Sequence, residues 1–275
     1  MADVFKEVLH KGLNQEIIIK KTLIDRKSKF QRIQIFDTYI YGRILVLDGI
    51  IQITEKDEAA YSEMLVHPAM QILDNPKEIL IIGGGDGAVA EEILKYKFIK
   101  NIDLVDIDEE VINLSKKYFK KINKNSLINK KIKLHYEDAY KFILKSEKKY
   151  DLIIADRPDP VGAGKSLFKE RFYKNINFVL NEKGLAVFQS GVTFFQEKEI
   201  KEVMKHVRKF FKKSGIILTV VPSYIGGFMS LVWSSNKLDM KTEKSIKRKI
   251  KIDTTYYNEE IRIASTITPN FMKLI

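Results

Sequence analysis

The sequence predicts an α/β protein: a mainly parallel sheet with helices on both faces, preceded by a small antiparallel β domain. Three observations predict it. From Gln15 to Thr54 the apolar residues alternate or come in short runs, as in EIIIKKTLI, FQRIQIF and RILVLDGIIQIT. After Asn75-Pro76, short β-like runs alternate with helical segments of about 10–18 residues, the pattern of a parallel sheet covered on both sides. The first of those runs ends in a glycine-rich turn.

Taken in order, turn-like breaks at Asp25–Lys27, Asp37–Thr38 and Asp48-Gly49 divide the first segment into hairpins. Lys56 to Leu73 carries a helical pattern with Ala60, Met64, Leu65 and Ile72 on its apolar positions. Asn75-Pro76 closes it. The strands that follow are EILIIGG, NIDLVDID, KIKLHYED, YDLIIAD and GLAVFQSG, and GIILTVVPS and FMSLVWSS form a terminal antiparallel pair with Gly226-Gly227 as its turn. Trp233, Met64 and Met70 are expected in the core. The expected division is a β-hairpin domain over 1–55 and an α/β domain over 56–275.

Bulk properties narrow the function. Cysteine is absent, which excludes disulfides and thiolate metal sites and fits a reducing compartment. The first residues lack the apolar run of a signal peptide, and no stretch approaches the roughly 20 apolar residues that span a bilayer. A cytoplasmic protein without a membrane partner is expected. The net charge of +12 raises nucleic acid as a partner. However, Lys116, Lys117, Lys120, Lys121, Lys130 and Lys131 flank Ile, Leu and Asn in what reads as a helix and the loop after it, so they read as a solvated face and no nucleic-acid partner is expected. The four histidines show no metal-ligand spacing, so no metal is expected.

In ILIIGGGDG, from Ile79 to Gly87, glycines let a nucleotide-like group approach the backbone closely. Asp106 ends the next strand 20 residues after Asp86, where an acid can accept from both ribose hydroxyls. Asp138 ends the third strand, within reach of an adenine amino group. All three acids also suit helix N-caps, and for Asp108 the cap is the preferred reading. Asp86 would repel a phosphate from the glycine turn. That points away from NAD and ATP, toward a nucleoside with a positive charge such as an adenosyl sulfonium.

The segment IIADRPDPVGAGKSLF, from Ile153 to Phe168, ends like a phosphate-binding loop, yet that motif requires glycine where Asp159 stands. What remains is two carboxylates, Asp156 and Asp159, in a turn stiffened by Pro158 and Pro160. Such a pair calls for a cation. Arg157 could supply it internally, or a diamine externally.

At this point the chain resembles the polyamine aminopropyltransferases of the spermidine synthase family over nearly its whole length. The resemblance rests on YGRILVLDG at 41–49, TEKDE with YSEML at 54–65, IIGGGDG at 81–87, DRPDPVGAGKSLF at 156–168, QSGV at 189–192, PSYIGGFM at 222–229 and YYN at 256–258. It implies a Rossmann-like fold of the class I methyltransferase type. It also implies transfer of an aminopropyl group from decarboxylated S-adenosylmethionine to a diamine, usually putrescine, giving spermidine and methylthioadenosine. The nucleoside is then a co-substrate, and no cofactor is needed.

By the same resemblance Asp156 takes the proton from the attacking nitrogen. Tyr61, Ser62, Asp86, Asp159, Gln189 and Tyr224 belong to the acceptor side. Gln31, Asp86, Asp106, Asp138, Ala139 and Ala163 belong to the nucleoside side, Asp86 matching the acid for the ammonium of the aminopropyl arm. A homodimer or homotetramer is implied. The chain departs from its relatives at Ser62 (usually His or Gln), Arg157-Pro158 (usually small residues), Ala163 (usually Pro), Lys165 (often Glu) and RIAST at 262–266 (typically HRAAF). These departures bear on the acceptor, for which cadaverine, agmatine or a longer amine are the alternatives. A methyltransferase and a silent polyamine-binding protein are the rival readings.

Overall fold

The computed structural model describes residues 3–157, 162–242 and 251–273, which form two sheets. The first is antiparallel throughout, with strands β1 (Val4–His10), β2 (Leu13–Lys27), β3 (Arg32–Thr38), β4 (Arg43–Leu47) and β5 (Ile50–Thr54) in sequential order. The β4–β5 turn is the expected Asp48-Gly49. Both residues have positive φ, 49° and 82°, as a two-residue hairpin requires, and Leu47 pairs with Ile50.

Two details differ from the sequence reading. The break expected at Asp25–Lys27 lies inside β2, because Asp25 pairs with Gln34 and Lys27 with Arg32. The Asp25 carboxylate is held there by Arg32 Nε at 2.8 Å, so a charged cluster strengthens the ladder instead of ending it. The turn follows at Ser28–Gln31, where Ser28 N donates to the Gln31 carbonyl. In addition, β1 precedes the segment read as β-rich.

Helix α1 (Glu58–Met70) leads into the second sheet and is buried on every side from Ala60 to Met70. Its polar residues are therefore all bonded. Ser62 Oγ donates to Glu58 Oε2 at 2.8 Å, and His67 meets Tyr96 and Glu92 at 2.8 and 2.7 Å. The Glu63 carboxylate accepts the backbone N–H groups of Thr255, Tyr256 and Tyr257.

The second sheet contains β6 (Glu78–Gly83), β7 (Asn101–Asp106), β8 (Ile132–Tyr136), β9 (Tyr150–Asp156), β10 (Leu180–Val192), β11 (Lys213–Val220) and β12 (Phe228–Ser235). Its order is β11-β12-β10-β9-β6-β7-β8. The strands from β10 to β8 are parallel neighbours, and β12 runs antiparallel to both β10 and β11. The expected terminal hairpin is present, with its second strand inserted beside β10. Ile79 to Ile82 are fully buried, as a central strand covered on both faces demands.

The helices are α2 (Ala88–Leu94), α3 (Glu109–Tyr118), α4 (Lys120–Asn123), α5 (Ala139–Lys145), α6 (Glu170–Val179), α7 (Glu197–Phe210) and α8 (Glu259–Ser265). One core packs α1 and α2 against Ile79 and Ile81 and includes Trp233, Met64 and Met70. The other packs α5 to α7 against Leu80 and Ile82. A third cluster joins Ile33, Ile35 and Leu45 of the first sheet to Val111, Leu114 and Phe119 on α3 and just beyond it. That contact brings the β2–β3 turn to the C-terminal rim of the parallel strands. Among the described residues, no helix is long and apolar enough to cross a membrane.

Candidate active site

Strand order reverses between β6 and β9, and open α/β sheets bind ligands at such a switch point, beyond the carboxyl ends of the strands. Gly83 ends β6 with φ +77°, and a Cβ there would lie 2.0 Å from the Asp156 carbonyl oxygen. A Cβ on Gly85 would lie 2.6 Å from Asp106 Oδ2. Only glycine lets the turn pass between the two strand ends, and so brings Asp156 and Asp106 to either side of it.

A cavity of about 280 Å³ opens at this point. Its walls include Gln31, Tyr61, Asp86, Asp106, Asp138, Ala139, Asp156, Gln189 and Tyr224. Nine residues predicted from sequence, spread over almost 200 positions of the chain, thus face one space.

Tyr61, on α1, donates its hydroxyl to Asp156 Oδ1 at 2.7 Å. Burial raises the Tyr61 pKa well above the usual tyrosine value, which keeps that proton in place. Tyr224 meets Tyr61 edge to face at 5.9 Å and donates to the Gln52 carbonyl at 2.7 Å, so two locked aromatic walls flank the Asp156 carboxylate. Asp86 Oδ1 accepts from Ala88 N at 2.7 Å, and Asp138 Oδ1 from Tyr140 N at 2.8 Å. Asp138 is the N-cap of α5, whereas Asp86 stands one residue before the Gly87 N-cap of α2, and both line the cavity. Asp108 caps α3, as expected, accepting from Glu110 N at 3.2 Å.

The acids are crowded, and among the described residues they have no ion-pair partner. Burial pushes Asp156 up to about 7; the charges of Asp86 and Asp106 add to the rise, and the Tyr61 bond opposes it. Burial likewise raises Asp106 to about 6, against the Asp108 N–H bond, and raises Asp86 against its backbone bonds. Glu58, behind them on α1, is raised by burial to about 7. Among the described residues no Lys or Arg forms an ion pair with any of these four. Within a protein of net charge +12, the chemistry of this cavity suits a cation.

Arg157 lines the cavity but does not neutralise it. Its guanidinium lies 3.8 Å from the Phe168 ring centroid and within 5.7 Å of those of Phe172, Tyr173 and Phe188. Nη2 donates to the Tyr173 hydroxyl at 2.8 Å, and Nη1 to the Leu167 carbonyl. Aromatic faces and carbonyls hold this cation. Of the two cations the sequence left open, the internal one is turned away from Asp156.

Ser62 is the predicted site residue that the structure does not bring to the cavity. It is buried, and its hydroxyl is spent on Glu58 because a serine on this face of α1 reaches no farther. Asp159 lies outside the described residues. Ala163 belongs to the 3-10 segment Gly162–Phe168, of which Gly164, Ser166 and Leu167 line the cavity.

Sequence reasoning missed Glu7, Gln52 and Gln196, which also line it. Glu7 is 2% exposed, accepting from Ile51 N at 2.8 Å and Gln15 Nε2 at 2.6 Å. The signal lay in the burial phase of β1, where Phe5 and Glu7 share the inward face. A carboxylate on the inward side of a strand is a marked choice, visible only once that strand is drawn.

Comparison with known proteins identifies the relatives of this chain. Residues 58–245 match the family model described as spermine/spermidine synthase domain, and residues 4–55 match spermidine synthase tetramerisation domain. The polyamine aminopropyltransferase of Buchnera aphidicola subsp. Acyrthosiphon pisum (strain Tuc7) is 37% identical over 271 residues, covering 97% of this chain and 95% of that protein. That of Clostridium kluyveri (strain NBRC 12016) is 37% identical over 255 residues, covering 93% and 92%. A spermidine synthase solved in complex with the transition state analogue AdoDATO superposes with a TM-score of 0.95 at 30% identity, covering 99% of this chain and 94% of that one.

Proposed function

The chain belongs to the spermine/spermidine synthase family and is a polyamine aminopropyltransferase, and we propose that its acceptor is putrescine and its products spermidine and methylthioadenosine. The observation that carries this reading is the group of acids Asp86, Asp106 and Asp156, facing one cavity with no counter-ion among the described residues.

The chemistry follows from that charge. In decarboxylated S-adenosylmethionine the carbon beside the sulfonium is already activated. A nitrogen lone pair forms the new N–C bond, the C–S bond breaks, and its electron pair leaves on a neutral thioether. The obstacle is the amine, because a protonated nitrogen cannot attack. In this reading Asp156 takes that proton, and a carboxylate with a pKa near 7 is matched to the task at neutral pH. Tyr61 occupies Oδ1 and so leaves Oδ2 for the amine. The flanking tyrosines exclude water and align the alkyl chain.

Asp106 and Asp138 suit the ribose and the adenine, with Ala139 beside the ring. Asp86 suits the ammonium of the aminopropyl arm and disfavours S-adenosylmethionine, which carries a carboxylate at that position. Gln189 and Tyr224 suit the acceptor side. The match of residues 4–55 to a tetramerisation domain supports a homo-oligomer, and the absence of cysteine supports a cytoplasmic setting.

The test is to incubate purified protein with decarboxylated S-adenosylmethionine and a panel of amines, measuring methylthioadenosine. Release is expected to be greatest with putrescine. Greater release with cadaverine, agmatine or a longer amine would replace putrescine as the acceptor. Methyl transfer from S-adenosylmethionine, or amine binding without turnover, would overturn the reading.

A further inference from the structure

The β2–β3 turn overhangs the nucleoside end of the cavity, where Phe30 and Gln31 are among the lining residues. Beneath it lies Asp108, 2% exposed, which does more than cap α3. Its Oδ1 serves the cap. Its Oδ2 accepts from Ser28 Oγ at 2.6 Å and from Gln31 Nε2 at 2.9 Å. A carboxylate accepts hydrogen bonds and does not donate them, so chemistry alone dictates that the amide nitrogen of Gln31 faces Asp108. The amide oxygen then points the other way, and it has no hydrogen-bond partner among the described residues.

We propose that Asp108 is a positioning residue that locks the Gln31 amide, so that its oxygen rather than its NH2 is offered to the cationic nucleoside. The proposal rests on the reading of Gln31 as a contact to the aminopropyl donor. The negative end of an amide dipole adds to the field of Asp86, Asp106 and Asp156. The NH2 end, turned inward, would oppose it. Asp108 thereby joins the antiparallel sheet to the parallel sheet through a group that sets the polarity of one wall.

The test is Asp108→Asn, which keeps the size of the side chain and caps a helix as well as Asp does. Its new NH2 donates to the Gln31 oxygen and so turns the amide around. The KM for decarboxylated S-adenosylmethionine is expected to rise about tenfold, the effect of one charge-assisted hydrogen bond, with kcat and the amine KM within about twofold. Gln31→Leu should give a similar loss, and the double variant should be no worse than Gln31→Leu alone.

Ser28→Ala removes the other bond to the same carboxylate oxygen but leaves the amide locked, so its donor KM should stay within about twofold. If Ser28→Ala reproduces the Asp108→Asn loss, Asp108 acts by anchoring the turn and the proposal falls. Additive losses in the double variant overturn it equally. If Gln31→Leu raises the donor KM and Asp108→Asn does not, the Gln31 contact stands and only the positioning role is lost. If Gln31→Leu has no effect, the contact itself is wrong and the proposal goes with it.

Discussion

Asp103 and Asp106 stand three residues apart on β7, and their surroundings are opposite. Burial alone would raise Asp103, but hydrogen bonds from Lys148 at 2.8 Å, His135 at 2.8 Å and Tyr150 at 3.1 Å outweigh it and hold its carboxyl below the usual range. Among the described residues no Lys, His or Tyr donates to Asp106, which accepts only backbone N–H groups and is raised to about 6. The one acid is paired within the fold; the other, with Asp86 and Asp156, lines the cavity without an ion-pair partner among the described residues. The same residue type on the same strand is lowered or raised in pKa according to whether its counter-ion is built in.

The comparison can be broken most strongly at Asp156. Asp156→Asn should fold normally and lose about 100-fold or more in kcat, the range for removal of a general base. Near-wild-type turnover would remove Asp156 as the proton acceptor. Asp86→Asn should be next in size. The KM for the decarboxylated donor should rise about tenfold, by loss of one ammonium–carboxylate contact, and the preference over S-adenosylmethionine should narrow. Binding constants for the two nucleosides, measured by calorimetry, check this, and an unchanged ratio would assign the discrimination to another group.

The smallest effect sharpens the contrast in stability. Asp103→Asn should cost about 1 kcal/mol, since Lys148 is partly solvated, with activity retained. The pH dependence has opposite signs at the two places. Asp156 and Asp106 have folded pKa values of about 7 and about 6, above their unfolded values near 4. They favour the folded state at low pH, and that contribution is lost as pH rises through 6 to 7. Asp103 is depressed, so its contribution is present above the unfolded pKa and lost as pH falls below it. Thermal melts of the ligand-free protein between pH 5 and pH 8 should therefore fall, less steeply in Asp156→Asn. Activity should move the other way, kcat/KM rising through pH 7 as the base ionises. A flat melt across that range would show that the cavity acids are already neutralised.

Much of this site was legible because parallel strands announce themselves. A short apolar run, a glycine turn and an acid at the strand end recur along the chain, and alternation with helices forces those ends to one rim. Asp86, Asp106, Asp138 and Asp156 were found that way. Glu7 was not, because its strand was not recognised. Ser62 was placed on the acceptor side by resemblance, yet a short hydroxyl on a buried helix turns to the nearest acceptor, Glu58. The Asp25 cluster looked like a turn because polar composition does not distinguish a loop from a strand whose charged side chains pair across the ladder.

What the amino-acid sequence determined by itself was the kind of sheet and the rim where its acids gather. Those follow from local periodicity and from the one geometry in which alternating strands and helices pack. Tertiary structure alone decided where Arg157 points, that β12 enters beside β10, that Tyr61 meets Asp156 across 95 positions, and that Asp108 grips Gln31. Each of these depends on contacts beyond the reach of local periodicity, and no local pattern records which neighbour a side chain will meet.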